Sequence, residues 1–514
     1  MVQGFKRVHF IGVGGVGMSG IARVLHQRGF EVSGSDLKAS KYTRKLQEEG
    51  LEIYIGHSPA NLEDSRPDII VISSAIPESN PELKAAHEAG IPVYRRAQML
   101  AELARGRKTI AFAGTHGKTT SSSMAASSFD RMGLEPTFLI GGSIDGYDTN
   151  GNNGAGEFFI CEADESDGSF LYLDPSIVVV SNIEADHLDH YSGLDEIKEI
   201  FKKFMASVGP DGTIIVCGDD EELLSLARQA AFQYALCAQE HKAQEEESLQ
   251  QAHFQQTRLQ QGTSSQDNVA LQNVGPKVLS YGFAQHNDVV CSLRPRIDEA
   301  NLMQSCFSLS FPDASSVELH IDRNPGIHNV LNASSVMCAA YACGLDMQKA
   351  AEALSSFSGV RRRFDYVGSF NGVTIVDDYG HHPTEIAATL KAAASLNYKH
   401  LRVVFQPHRY TRTQAFAKDF GRAFDEADSA IFMDVYAAGE SPIPGITGKT
   451  LIREIQARLP HKDLAYFPSR PELIDYLLVK CEPGDLLLTM GAGDVTSIGP
   501  ALLEHYEKAR DTHE

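Results

Sequence analysis

A chain of 514 residues is too long for one hydrophobic core and divides into roughly two to four domains. Its 42% hydrophobic and 22% charged residues suit a soluble globular protein. No apolar run reaches membrane-spanning length, and a formal charge of −21 argues against nucleic acid as a partner. The eight cysteines stand singly without a Cys-x-x-Cys, and Met1 to Phe10 lacks the apolar centre of a signal peptide, so reduced thiols and a cytoplasmic location are expected.

In chain order, the apolar run Val8 to Ile11 predicts a strand that enters Gly12-Val13-Gly14-Gly15-Val16-Gly17, followed by a helix from Met18 to Arg28 closed by Gly29. Gly12, Gly14 and Gly17 satisfy Gly-x-Gly-x-x-Gly in a βαβ context, which predicts a site for a nucleotide pyrophosphate. The pattern leaves the nucleotide open, NAD included. A second strand, Phe30 to Ser33, leads to Asp36, which is either a ribose-binding acid or a solvated turn carboxylate. Strands over Asp68–Ser73 and Pro92–Tyr94 and helices over Pro81–Ala89 and Ala97–Arg105 continue the α/β alternation. Ser74 follows the carboxyl end of a strand, where parallel sheets bind ligands. The polar joint Arg105-Gly106-Arg107-Lys108 marks a boundary and a candidate hinge.

The stretch Thr109 to Thr120 carries the clearest chemistry. An apolar strand ends in Gly114-Thr115-His116-Gly117-Lys118-Thr119-Thr120, and a helix is expected from Ser121 to Met132. Backbone N–H groups and a helix N-terminus facing an anion, a lysine point charge and a hydroxyl able to hold Mg²⁺ make a phosphate cradle. Phe112 stands where the usual pattern has its first glycine, so Gly114 is expected to make the turn.

Beyond a Gly/Asn-rich loop over 141–156, the strand Phe158–Cys161 runs into Glu162-Ala163-Asp164-Glu165-Ser166-Asp167. Four carboxylates in six residues call for a cation or for donors, unless the loop is simply solvated. A strand over Ile177–Ser181 ends in Asn182-Ile183-Glu184-Ala185-Asp186-His187, where His187 is a structural residue or a metal ligand. Residues 239–275 are rich in Gln and Glu and read as a surface insertion without chemistry of its own. His328, Asn329 and Asn332 open an apolar helix to about Ala342, and the two Asn residues share a face that caps the helix or reads a base edge. The last region repeats the α/β alternation, with strands over Val373–Val376, Arg402–Gln406, Ala430–Val435 and Asp485–Met490. Arg361-Arg362-Arg363 lies at its start, and Asp378-Tyr379-Gly380-His381-His382 and His408-Arg409-Tyr410-Thr411-Arg412 lie at strand ends. Arg409 and Arg412 form a fork for carboxylate or phosphate. The whole reads as a three-domain α/β protein, Rossmann-like at both ends around a phosphate-loop ATPase-type centre.

The order of G-x-G-G-x-G-M-S-G, G-T-H-G-K-T-T, E-A-D-E-S-D, E-A-D-H-L-D, H-N-x-L-N, R-R-F-D, D-D-Y-G-H-H-P-T-E, F-Q-P-H-R-Y-T-R-T and G-A-G-D resembles the Mur ligases of peptidoglycan synthesis over nearly the whole chain. Muropeptide-recycling members tend to have Tyr where Ser166 stands, which favours the alanine-adding branch. The resemblance implies UDP-N-acetylmuramate, L-alanine and ATP as substrates, and a reaction through an acyl phosphate with Mg²⁺ or Mn²⁺. It implies a UDP-substrate domain over 1–106, an ATP domain over 107–359 and an amino-acid and ATP-contacting domain over 360–514.

By position, Gly12, Gly14, Gly15, Gly17 and Ser19, with Asp36 and Ser74, face the UDP substrate. Gly114 to Thr120 hold the ATP phosphates, with Lys118 bridging them. Thr119, Glu162 and His187 hold metal. His328, Asn329 and Asn332 face adenine, Arg363 and Asp378 face the ATP phosphates and ribose, and Tyr379, His381, Arg409 and Arg412 gather at the amino acid. Lys118, His187 and Arg409 are the expected catalytic groups. Closure is expected at two hinges, 105–108 and 359–363. The rival readings are an NAD-binding oxidoreductase and a nucleotide sensor without chemistry. A sensor has no use for the reaction-side Lys118, Glu162, His187 and Arg409.

Overall fold

The first glycine loop leaves a central parallel strand. β1 (Arg7–Ile11), β2 (Glu31–Asp36), β3 (Glu52–Ile55), β4 (Ile69–Ile72) and β5 (Val93–Arg95) are parallel in spatial order β3-β2-β1-β4-β5. Direction reverses at β1, and open α/β sheets bind ligands at such a switch point. α1 (Val16–Gln27) follows the glycine loop and buries Met18, Ile21, Val24 and Leu25. It stops before Gly29, whose φ of 85° is a left-handed conformation that suits glycine. This computed structural model describes residues 4–511 except 148, 167, 187–189, 236–274 and 299–302. His187 and nearly all of the Gln/Glu-rich insertion lie outside the described residues.

The second sheet holds β6 (Lys108–Ala113), β7 (Thr137–Leu139), β8 (Gly151–Asn152), β9 (Phe158–Glu162), β10 (Ile177–Val180), β11 (Thr213–Cys217), β12 (Lys277–Gly282), β13 (Val289–Arg294), β14 (Ser305–Ser310) and β15 (Ser316–Ile321). Its order is β15-β14-β13-β12-β11-β10-β6-β9-β7-β8. β6 lies between β9 and β10 and is parallel to both. The loops after these three strands therefore emerge side by side. α2 (Lys118–Arg131) begins at the phosphate loop, and α3 (Ile327–Ala342) packs across α2, β11 and β12. α3 buries almost every residue from Val330 to Ala340, which explains its apolar sequence.

The third sheet comprises β16 (Asp365–Phe370), β17 (Val373–Asp378), β18 (Leu401–Phe405), β19 (Ser429–Phe432), β20 (Asp463–Tyr466) and β21 (Leu486–Met490) in order β16-β17-β21-β18-β19-β20. Only the edge strand β16 is antiparallel. α4 (Pro383–Ala394) follows β17, and the short α5 (Tyr410–Ala415) follows β18.

The two joints differ. One apolar cluster runs from Val8, Met18 and Leu100 in the first unit through Leu139 to Phe159, Phe170 and Phe201 in the second. Gly20 of α1 lies so close to Leu139 and Asn150 that a side chain there would meet Leu139 at 2.9 Å. Arg23, buried in α1, donates to Thr149 and Asn150 across the boundary at 2.9 and 2.8 Å and pairs with Glu49 at 2.7 Å. The expected hinge at 105–108 is thus spanned by a shared core and a buried arginine, and the first two units form one packed body.

The second joint is a tightly turned linker. Asp145 N–H donates to Gly359 O and Arg361 N–H to Ser143 O, both at 3.1 Å, and Arg362 and Phe364 adopt φ of 64° and 52°. Such conformations are unfavourable for side-chain-bearing residues and persist where surroundings enforce them. Here Asp377 at 3.2 Å and Gly491 O at 2.6 Å hold Arg362, while Asp378 accepts the Phe364 N–H at 2.9 Å. The seven described cysteines are free, and no helix among the described residues is long and apolar enough to cross a membrane.

Candidate active site

The phosphate loop is laced to the loop after β10. Thr115 N–H donates to Asn182 O at 3.1 Å and His116 N–H to Asn182 Oδ1 at 2.9 Å, while Ser181 Oγ donates to His116 O at 2.6 Å. Gly114 makes the turn with φ of 128°, against Ser181 and Asn182, and leaves no room for a side chain. Phe112 belongs to the buried end of β6, so the first turn of the cradle has moved to Gly114 as expected. Gly117, with φ of 87°, caps α2, and a Cβ there would lie 2.5 Å from Asn332 Oδ1. The first N–H groups of a helix have no intrahelical partner and remain available to an anion.

Lys118 is the cation at the centre of the acidic loop. Its Nζ donates to Gly114 O, to Thr115 O at 3.2 Å and to Glu165 Oε1 at 2.8 Å. Burial acts to lower its pKa, but Glu165, Asp164 and Glu162 outweigh burial and hold it above the ordinary value. Glu162, at the end of β9, accepts from the Gly141 N–H and from Ser122 Oγ at 3.3 Å, and the Thr119 hydroxyl is a further partner. Burial raises the Glu162 pKa despite Gly141 and Lys118. A desolvated carboxylate beside a hydroxyl is a hard oxygen pair, the donor set that Mg²⁺ takes. Among the described residues of the acidic loop, Glu165 pairs with Lys118 and Glu162 lies near it, while Asp164, 42% exposed, faces Arg96.

The glycine loop is shaped from within. Gly12 and Val13 N–H groups donate to Ser35 O, and Gly14 N–H donates to Asp36 Oδ2 at 2.8 Å. Asp36 thus braces the loop through its carboxylate. Ser19 departs from expectation. It is fully buried, its hydroxyl donates to Val16 O at 3.0 Å, and Asn150 Nδ2 lies 3.3 Å away, so it faces the second unit and not the cleft. Gly15 and Gly17 line a cavity of about 290 Å³ whose far wall is Gly141, Glu162 and Asp164. Arg96 spans it, beside Gly17 and 3.5 Å from Asp164. Ser74 lies in an adjoining cleft with Ser73, Arg95, Arg96 and Tyr172.

A second cavity of about 200 Å³ opens on the other side of the phosphate loop, where Gly117, Thr120, His328, Asn329, Asn332, Arg363 and Asp378 converge. Neither Asn caps α3. The cap is Gly326, while Asn329 Nδ2 reaches Pro325 O at 3.2 Å and Asn332 Nδ2 reaches Asn329 Oδ1 at 3.2 Å. The capping option closes because Gly326, with φ of 106°, already turns the chain into the helix. Burial lowers the His328 pKa to about 4, so it is a neutral imidazole. Burial raises Asp378 to about 6 against Arg363 and the N–H groups of Gly380 and Phe364. Tyr281, Cys217 and Phe364 also line this cavity; sequence reading missed them because they come from three separate segments.

The third group sits at the ends of β17 and β18. The Tyr379 and His381 rings are 5.3 Å apart, those of His381 and His408 5.5 Å apart, and Tyr379 lies under Arg362 and Arg363. Burial, with Arg412 and His408 nearby, lowers His381 to about 3, and burial with Arg412 and Arg409 lowers His408 to about 4. Arg409 precedes α5 with φ of 66°, another side-chain-bearing residue held in a strained conformation. Arg412 does not present an open fork: it pairs with Asp186 of the central unit at 2.9 Å and meets His408 at 3.3 Å.

Between the phosphate loop and α4 lie two carboxylates that sequence reading did not single out. His116 Nδ1 is 3.2 Å from Glu385 Oε1, and Nε2 is 3.5 Å from Glu184 Oε2. His116, Glu184 and His382 offer ligand atoms within 4.8 Å of one another, a geometry that a metal ion could use. A proton already serves there. Burial lowers the His116 pKa, but Glu184 and Glu385 together raise it to about 9, so the imidazole is charged at neutral pH. Its stabilisation of the fold is fully present below the ordinary 6.5 and is lost as pH rises through about 9.

Comparison with known proteins agrees with this geometry. Residues 7–108 match the Mur ligase family, catalytic domain; residues 112–271 match the Mur ligase middle domain; residues 362–493 match the Mur ligase, glutamate ligase domain. A UDP-N-acetylmuramate–L-alanine ligase of Geobacter sp. (strain M21) is 41% identical over 99% of both chains. One of Pelobacter propionicus is 42% identical over 98% of each. The crystal structure of the UDP-N-acetylmuramate–alanine ligase of Thermotoga maritima has the same fold, with a TM-score of 0.73, 24% identity, and 98% and 99% of the two chains covered. With three successive domain matches and full-length relatives at this identity, the chain belongs to the Mur ligase family.

Proposed function

We propose that this protein joins L-alanine to the carboxylate of UDP-N-acetylmuramate at the expense of ATP, in the cytoplasm, as a step of peptidoglycan precursor synthesis. One observation carries the reading: the glycine loop and the carboxylates Glu162 and Asp164 line one cavity, and the acidic loop that supplies those carboxylates pairs through Glu165 with Lys118 of the phosphate loop. A UDP-sugar held at the glycine loop extends toward the phosphate loop, so its carboxylate and the ATP γ-phosphate meet beside Glu162.

The chemistry then follows from the residues. A carboxylate oxygen attacks the γ-phosphorus, the bond to ADP breaks, and an acyl phosphate forms. The alanine nitrogen adds to the acyl carbon and loses a proton, and the tetrahedral centre expels phosphate to leave an amide. Lys118 and the N–H groups opening α2 hold the transferred phosphoryl group. Thr119 and Glu162, with His187, would hold Mg²⁺, which when bound neutralises the charge brought together where phosphate meets carboxylate. Arg363 and Asp378 face ATP, and His328, Asn329 and Asn332 its adenine. His381, neutral and donating from Nδ1 to Tyr379 O, offers the alanine ammonium its Nε2 as an acceptor, and His408, neutral and accepting from Arg412 at Nδ1, adds no like charge. Arg409 lies beside them to receive carboxylate or phosphate. We assign the UDP-substrate unit to residues 1–106, the ATP unit to 107–359 and the amino-acid unit to 360–514.

The test is phosphate release from ATP with UDP-N-acetylmuramate, with and without L-alanine. Release that depends on both, with one amide formed per phosphate, is expected. Turnover with a muropeptide in place of L-alanine, or NAD reduction without ATP use, would replace this reading.

A further inference from the structure

We propose that His116 is a positioning residue through which docking of the C-terminal unit sets the shape of the phosphate loop, with Glu385 as its partner. This rests on the ligase reading above and goes beyond it. The backbone of His116 belongs wholly to the central unit: its N–H and carbonyl are held by Asn182 and Ser181. Its side chain belongs to the boundary, reaching Glu385 on α4 and Glu184 in its own unit.

Glu385 is built to receive it. One carboxylate oxygen accepts the N–H groups of His381 and His382 at 3.0 and 3.3 Å, which closes the start of α4. The other oxygen faces His116, with Arg363 3.8 Å away. The His116 and Glu385 side chains are only 14% and 13% exposed, so this ion pair is largely shielded from water and from salt. Thr384 Oγ1 donates to Glu184 Oε2 at 2.7 Å, so the neighbour of Glu385 grips the second carboxylate of the same bridge.

The consequence is a two-way constraint. With the C-terminal unit docked, the His116 ring lies between Glu385 at 3.2 Å and Glu184 at 3.5 Å, and the Gly114–Gly117 turn has one shape. With that unit away, the imidazole keeps only Glu184. The loop that holds ATP and the unit that brings the amino acid thus read each other through one side chain, two residues before Lys118.

A double-mutant cycle tests this with H116N, E385Q and the pair. Each single variant is expected to lower kcat by about tenfold or more with a smaller change in KM for ATP, and the double to be no worse than the worse single, because both remove one interaction. Small-angle scattering with a non-hydrolysable ATP analogue gives a readout free of the amino-acid substrate. Wild type is expected to be compact, and the three variants expanded to a similar degree. Effects that multiply in the cycle, or variants as compact as wild type, would overturn the coupling. If wild type scatters as expected but does not turn over UDP-N-acetylmuramate and L-alanine, the substrate reading fails while the bridge stands. Should H116N fail to fold, E385Q alone decides: wild-type compaction in it refutes the proposal, and expansion with a fall in kcat supports it.

Discussion

Replacing Lys118 by Met is expected to lower kcat/KM by at least about a thousandfold, the scale seen when a cation serving phosphoryl transfer is removed. Met keeps most of the stem volume, so the loop need not collapse. What disappears is the charge that opposes three clustered carboxylates and, with ATP present, the transferred phosphoryl group. Glu162, Asp164 and Glu165 then face one another with much less opposing charge, and their pKa values rise. A second signature follows, a variant whose thermal stability improves on acidification through the carboxylate range. Phosphate release under saturating substrates, with circular dichroism to confirm folding, is the measurement. A folded variant within tenfold of wild type would remove Lys118 from the reaction. Lys118→Arg is not a mild control, since a planar fork cannot reproduce a point charge inside a turn shaped by Gly114 and Gly117.

The second large effect concerns His187. The resemblance makes it a metal ligand, and Asp186 beside it is tied to Arg412 of the C-terminal unit. If His187 holds Mg²⁺ between phosphate and carboxylate, His187→Gln weakens an interaction that strengthens in the transition state. A fall in kcat of about a hundredfold with little change in KM for ATP is expected. Imidazole is an uncommon partner for Mg²⁺, so the wild-type site should also work with Mn²⁺, and the variant should shift its metal dependence. Near-normal kcat with an unchanged Mg²⁺ and Mn²⁺ titration would falsify the ligand role.

Both glycine loops were legible because each follows a buried apolar strand and precedes a helix, a context that short patterns need. The gathering of the acidic loop and the 182–186 loop around the phosphate loop was legible only in part. Strand ends are visible in sequence, but that β6 lies between β9 and β10 is a matter of topology. The helix Lys41–Glu48 went unread because it buries only Thr43 and Leu46, too few to show a period; its one signal was the Ser40–Thr43 cap. Glu385 was in plain view within D-D-Y-G-H-H-P-T-E, yet its partner is 269 residues away in sequence, and no local pattern reports such a pairing. Ser19 was misplaced for a related reason: helix geometry turns it toward Asn150, which no count along the glycine loop anticipates.

The core shared between the first two sheets has a consequence for how the protein comes apart. The side chains of β1 belong to the same apolar cluster as Phe159 and Phe170, so opening β1 disturbs a core that both units share. Native-state hydrogen exchange should therefore give the amides of β1 and β9 one common opening free energy. Those of β18 and β21, whose side chains fill separate clusters, should follow another. Three successive domains in the chain then amount to two cooperative units, and the fold is expected to lose its first and second sheets in a single event.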